Sequence, residues 1–189
     1  MNVIIAAVGG QGALLAARVI GHYARLQSLD VKVSEIHGMS QRGGSVVTHV
    51  RFGKGVHSPV IEAGTADVLL GFEILEAARA IHYLRPGGML VVSKQQIQPL
   101  PVLTGAATYP AVLLQSFEQM PISTYAVDAL SCAERIGSTK VVNTVLIGVL
   151  SRRLAEDGGL FREAVMACVP AKHRELNQQA FDTGYALNF

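Results

Sequence analysis

Two clusters of residues in this sequence have the composition of a binding site. The first is Val8-Gly9-Gly10-Gln11-Gly12, where an apolar run gives way to a helical pattern. Glycines at such a junction let the backbone turn sharply with its amides exposed, and a helix start adds about half a positive charge, so the turn suits an anion or a coenzyme phosphate. A tight turn with a purely structural purpose accounts for the same residues. The dinucleotide fingerprint is a natural comparison, because Glu35 falls about twenty residues on, where a ribose-binding acid would stand. The comparison breaks at the third glycine. With Gly10 and Gly12 as the first pair, Leu15 occupies the position at which close helix-to-strand approach needs Gly or Ala.

The second cluster is the polar stretch Glu35-Ile36-His37-Gly38-Met39-Ser40-Gln41-Arg42-Gly43-Gly44-Ser45. Ser40, Gln41 and Arg42 bring hydroxyl, amide and guanidinium donors beside two glycines, a set suited to a carboxylate, a phosphate or a partner's backbone. A solvated turn in which Arg42 pairs with a surface acid is the plainer alternative. In the tail, Lys172 and Asn177 could face a site, but packing explains most of that segment.

Other chemistry finds little support. His37, His49, His57 and His82 show no i, i+4 pairing and no neighbouring carboxylate set of the kind a metal needs. Only two cysteines occur, Cys132 and Cys168, against the four thiolates that an iron–sulfur cluster usually takes, so a redox cluster would have to belong to another chain. No Gly-x-Ser-x-Gly elbow is present.

Elements to hold the two clusters can be read from periodicity. Residues 3–8 are a continuous apolar run of strand length, and Leu14, Leu15, Val19, Ile20 and Tyr23 then recur at helical spacing. Strands are expected at 31–35, 46–52, 68–72, 89–92 and 125–128, with 53–55 as a hairpin turn and 86–88 as a turn. Helices are expected at 73–82, 113–118, 129–136, 141–155, 160–168 and 172–183, with Gly184 as the cap of the last one. The stretch 95–121, with four prolines, reads as surface wandering apart from that short helix. Strands alternating with crossover-length helices give an α/β fold: an open, largely parallel sheet with helices on both faces, made mixed by an antiparallel hairpin within 46–61. The expectation is a single domain over 1–189, a Rossmann-like three-layer sandwich.

Half the residues are hydrophobic and 16% are charged, which fits either a sheet buried on both faces or a face reserved for a partner chain. A net charge of +2 with scattered Lys and Arg excludes the electrostatic footprint of a nucleic-acid binder. No apolar stretch approaches the ~20 residues of a membrane span. The opening residues read as a strand, with no basic leader, so a cytoplasmic protein is expected.

The ordered series of motifs resembles the gamma domain of the pyruvate ferredoxin/flavodoxin oxidoreductases, which forms a separate short chain, the beta subunit, in indolepyruvate ferredoxin oxidoreductase. Its marks run from Gly-Gly-Gln-Gly before Leu14-Leu15-Ala16, through residues 35–46, Arg51-Phe52-Gly53 and Ser58-Pro59-Val60-Ile61. They continue through residues 66–71, Tyr109-Pro110, residues 143–148 and the Pro-x-Lys…Glu-Leu-Asn…Ala-Phe…Gly tail. Ala7 stands where family members often begin the first motif with glycine.

The resemblance implies a complex that decarboxylates a 2-oxoacid on thiamine diphosphate, sends electrons through iron–sulfur clusters to ferredoxin and delivers the acyl group to coenzyme A. It implies that a large partner subunit holds the thiamine and cluster sites, and that this chain is inactive alone. The two polar clusters make Gly9, Gly10, Gln11, Gly12, Ser40, Gln41, Arg42, Gly43 and Gly44 the candidate cofactor-facing residues, expected to line a crevice at the strand ends. A stand-alone NAD- or FAD-dependent dehydrogenase and a non-catalytic interaction protein of the same fold are the alternative readings.

Overall fold

The computed structural model describes residues 1–38, 43–154 and 158–189. Its elements in chain order are β1 (Asn2–Val8), α1 (Ala13–Leu26), β2 (Asp30–His37), β3 (Ser45–Gly53), β4 (Ala66–Gly71), α2 (Ile74–Ala80), β5 (Leu84–Ser93), α3 (Leu100–Leu103) and α4 (Leu113–Glu118). They continue with β6 (Ser123–Val127), α5 (Ala129–Ile136), α6 (Val142–Leu154), α7 (Gly159–Cys168) and α8 (Arg174–Tyr185). The run 3–8 has no polar face to give to water, and β1 accordingly sits inside a six-stranded sheet of order β2-β3-β1-β4-β5-β6. Five strands point one way and β3 alone runs against them, antiparallel to both β1 and β2.

Side chains alternate across the sheet and divide the core in two. Val3, Ile5 and Ala7 of β1 pack with α1, α5, α6, α7 and α8, whereas Ile4 and Ala6 pack with α2 and α4. Helices thus cover both faces of an open mixed sheet, as the alternation of patterns predicts. Ala7 is fully buried opposite Val46.

The origin of the mixed character differs from expectation. Residues 53–55 do turn, but no strand returns through 56–61. The antiparallel partners of β3 are β2, its predecessor in the chain, and β1. The signal was ambiguous because a Gly-x-Gly turn ends a strand equally well whether or not another follows. Residues 86–88 likewise lie inside β5, where a register shift opposite β4 takes up the irregular backbone of Pro86-Gly87-Gly88. The helix expected over 73–82 is α2 followed by a 3-10 turn at Ile81–Tyr83.

Gly184 is not the cap of the last helix. It lies within α8, and Ala186 closes that helix. A Cβ on Gly184 would run into the carbonyl of Val145 in α6, and one on Gly148 would meet the Phe181 carbonyl and, at 2.8 Å, the Tyr185 amide. The two helices therefore touch backbone to backbone, and residues 142–151 of α6 are buried on every side.

One buried group makes the fold pH-sensitive. His49 of β3 accepts a hydrogen bond at Nδ1 from the Ile61 amide (3.1 Å), with its ring edge-on to Tyr83. Burial pushes its pKa below the ordinary value of 6.5. The folded state therefore binds fewer protons at this site than the unfolded chain, so stability is full above pH ~6.5 and declines as the pH falls through that window. We expect the urea midpoint to drop between pH 7.5 and 5.0, and the drop to shrink in His49→Gln. An equal drop in both proteins would assign the loss to other groups.

Candidate functional site

The glycine turn stands at the carboxyl end of β1, where an α/β sheet places its ligands. It is laced into place by the backbone: Gly9 N–H donates to the Gly44 carbonyl (2.8 Å), Gly43 N–H to the Gly9 carbonyl (3.1 Å), and Gln11 N–H to the Val8 carbonyl (3.1 Å). The two glycines that end the polar loop are thus brought against the glycine turn. Ser40, Gln41 and Arg42 lie outside the described residues.

The Gln11 side chain fastens the same turn to the neighbouring strands. Its Oε1 accepts from the Val8 amide (2.8 Å), and Nε2 donates to the Phe72 carbonyl (3.1 Å) and to Gln95 Oε1 (3.2 Å). The carboxamide is committed to protein partners and spans the ends of β1, β4 and β5.

Gly10 and Gly12 both have positive φ, at 104° and 88°. Gly12 caps α1 without a side-chain hydrogen bond, and the first turn of that helix holds no acid. Among the described residues, the amides of Gly10 and of residues 12–15 have no acceptor. Such amides, with the dipole behind them, attract negative charge.

Two crevices flank the turn. One, of about 240 Å³, runs between Gly9, Gly10, Leu14, Val46 and Glu35. Glu35 accepts from the Thr48 hydroxyl at 3.4 Å, and its charge suits hydroxyls better than anions. The other, of about 460 Å³, is lined by Gly10, Gly12, Gln95, Thr139, Lys140 and Asn143. Here an ammonium, a hydroxyl and carboxamides join the helix start, so this crevice has the chemistry to hold an anion. Asn143 reaches across to the Gly12 carbonyl (3.5 Å), and its Oδ1 accepts from the Thr144 amide (2.8 Å).

Lys140, Thr139 and Gln95 escape a reading based on motifs, because they come from turns more than 80 residues from the glycines in sequence. The available signal was Gly137-Ser138-Thr139-Lys140, a polar turn wedged between two apolar helices. The tail residues prove to be structural or remote. Asn177 accepts from the Thr144 hydroxyl (2.6 Å) and donates to the His173 carbonyl (2.9 Å), whereas Lys172 is exposed in a 3-10 turn.

Behind the turn lie two buried carboxylates. Glu73 caps α2 through the Glu76 amide (2.8 Å), and also accepts from the Ile97 amide (3.1 Å) and the Tyr109 hydroxyl. Burial and the bond to Glu73 push the Tyr109 hydroxyl well above the ordinary phenol range. Glu76 pairs with Arg79 (2.6 Å) and accepts from Ser45. All four of their carboxylate oxygens are engaged by groups of this chain, so the pair builds the scaffold under the turn. Among the described residues no group of three His, Cys, Asp or Glu could hold a metal ion, and no helix is long and apolar enough to cross a membrane.

Residues 2–187 match the family described as pyruvate ferredoxin/flavodoxin oxidoreductase. The chain is 39% identical to the indolepyruvate oxidoreductase subunit IorB of Thermococcus kodakarensis over 97% of its own length and 93% of the relative's. It is 38% identical to the subunit of the same name from Pyrococcus horikoshii, with the same shares covered. In three dimensions it resembles the gamma subunit of a keto/oxoacid ferredoxin oxidoreductase from Geobacter sulfurreducens, with a TM-score of 0.72 at 23% identity over 97% of this chain and 95% of that one.

Proposed function

Because the chain belongs to the pyruvate ferredoxin/flavodoxin oxidoreductase family, we propose the following division of labour for its complex. The chain is the small subunit of a 2-oxoacid:ferredoxin oxidoreductase. Its substrate is an aryl pyruvate of the indolepyruvate type, a reading supported by the name carried by relatives at 38% and 39% identity. The complex works in the cytoplasm.

Thiamine diphosphate and the iron–sulfur clusters belong to the larger partner subunit. The residues of this chain do not fit a cluster: its two cysteines fall short of four thiolates, and Cys132 is buried. They do fit a phosphate of coenzyme A. The observation that carries the reading is the set of open amides at Gly10 and at the start of α1, beside Lys140. Those amides and the ammonium would bind the coenzyme's phosphate, and the guanidinium charge of Arg42 would help to offset it. Coenzyme A supplies the thiol that receives the acyl group, and this chain orients it and excludes water around the helix start.

The test is reconstitution with the larger subunit, following turnover of indolepyruvate with ferredoxin as acceptor. Lys140→Ala and Arg42→Ala are each expected to raise the KM for coenzyme A by about tenfold or more, the value of one charge-assisted hydrogen bond. Unchanged KM and kcat in both variants would remove the anion role. Turnover by the isolated chain, or a firmly held NAD or FAD, would overturn the subunit reading itself.

A further inference from the structure

A stretch that pattern alone leaves unread, residues 95–117, contains no Asp, Glu, Lys, Arg or His. Much of it nonetheless lies at the surface: Leu100 is 72% exposed, Leu103 66% and Val112 58%. An exposed segment stripped of charge and carrying large aliphatic side chains has the composition of the core of an interface.

The segment is also held stiff. Pro99 caps α3 and Pro101 stands in its first turn, while the Thr104 amide (2.9 Å) and hydroxyl (3.0 Å) both return to the Leu100 carbonyl. A single oxygen of the fully buried Glu73 accepts from the Ile97 amide and from the Tyr109 hydroxyl, so one carboxylate closes both ends of the loop. Burying a carboxylate to fix a loop whose leucines remain in water gains little for the chain alone. It does spare a partner the entropy of ordering that loop.

We propose that residues 97–112 form a rigid apolar arm that docks into an apolar groove of the larger subunit, beside the glycine-turn crevice. This rests on the reading of the chain as a small subunit. The arm is continuous with that crevice, since Gln95 at its root bonds Gln11, lines the crevice and accepts from the Ile74 amide through its carbonyl (3.1 Å). Relatives at 38% and 39% identity are named as subunits of an oxidoreductase, so a partner chain is at hand to cover this face. The larger subunit, whose chemistry the adjoining crevice serves, is therefore the occupant.

The experiment compares the wild-type chain, Leu100→Asp/Leu103→Asp and Tyr109→Phe for binding to the purified larger subunit, with melting temperature and self-association of each chain measured in parallel. The double variant alters only exposed side chains, so it should melt like the wild type while its Kd rises about 100-fold or more. Turnover should recover when it is added in excess. Tyr109→Phe, which frees one end of the loop and leaves the leucines intact, should weaken binding about five- to tenfold. Equal affinity of the double variant and the wild type, in a complex that turns over, would overturn the arm alone. So would conversion of a wild-type self-dimer to monomer with larger-subunit binding unchanged. If the wild-type chain itself gives no turnover with the larger subunit, the small-subunit reading falls and the arm with it.

Discussion

Alanine at Gly184 is expected to lower the unfolding free energy by about 3 kcal/mol, the upper end of what one surplus methyl group costs in a packed core. The methyl would enter the Val145 carbonyl, part of the backbone of α6, so no rotamer change can relieve the overlap. Nor can α6 retreat, because residues 142–151 are buried all round and Leu146 and Ile147 are fully enclosed. In a chain of this size, 3 kcal/mol corresponds to a fall in melting temperature of roughly 6–12 °C. Gly148→Ala should behave alike, since its methyl would meet the Phe181 carbonyl from the other side of the same crossing. The double variant should cost less than the sum, because helices already forced apart by one methyl have room for the next. A melting temperature within about 2 °C of the wild type for Gly184→Ala would show that the crossing can open freely.

Gly12→Ala is expected to cost both stability and turnover. An L-residue held at φ 88° is strained by about 1–3 kcal/mol. Its methyl would also fall on the Asn143 carboxamide and push that buried group off the Thr144 amide. Together these amount to about 3 kcal/mol. Displacing the first turn of α1 by even an ångström should lower turnover of the reconstituted complex about 100-fold. Gly10 isolates the two causes. Its φ is 104°, but no described residue lies within 4 Å of an added Cβ, so Gly10→Ala should cost the strain alone, about 1–2 kcal/mol, and less than tenfold in turnover. Equal losses in the two variants would show that Asn143 has no part in setting the turn.

What could be read from the residues follows from how local each cause is. The apolar run of β1 and the helix at Ala129–Ile136, bracketed by an Asp128 cap and Gly137 in the left-handed region, announce themselves within a few residues. The strand partner of β3 does not, because pairing is settled by what lies alongside in space. Gly184 looks like a cap to any local rule, and only the presence of α6 gives it a different purpose. The site divides in the same way. Its glycine turn is a contiguous motif, whereas Lys140 and Gln95 join it through loops whose positions depend on the whole sheet. Gln11 was legible as a residue of the turn, but two of the three bonds that occupy its carboxamide reach Phe72 and Gln95, far along the chain.

The strand order has a consequence for biosynthesis. β1 lies between β3 and β4, and its registered neighbours, such as Arg51 for Asn2 and Val68 for Val3, come some 40 or more residues later. At ~5–20 residues per second of translation, the most apolar strand of the sheet waits roughly 2–8 s with both ladder edges open. The newly made chain is therefore most prone to coalescence with its siblings before residue 71 has emerged, and a chaperone that engages extended apolar peptides would find its first grip on Val3, Ile4 and Ile5.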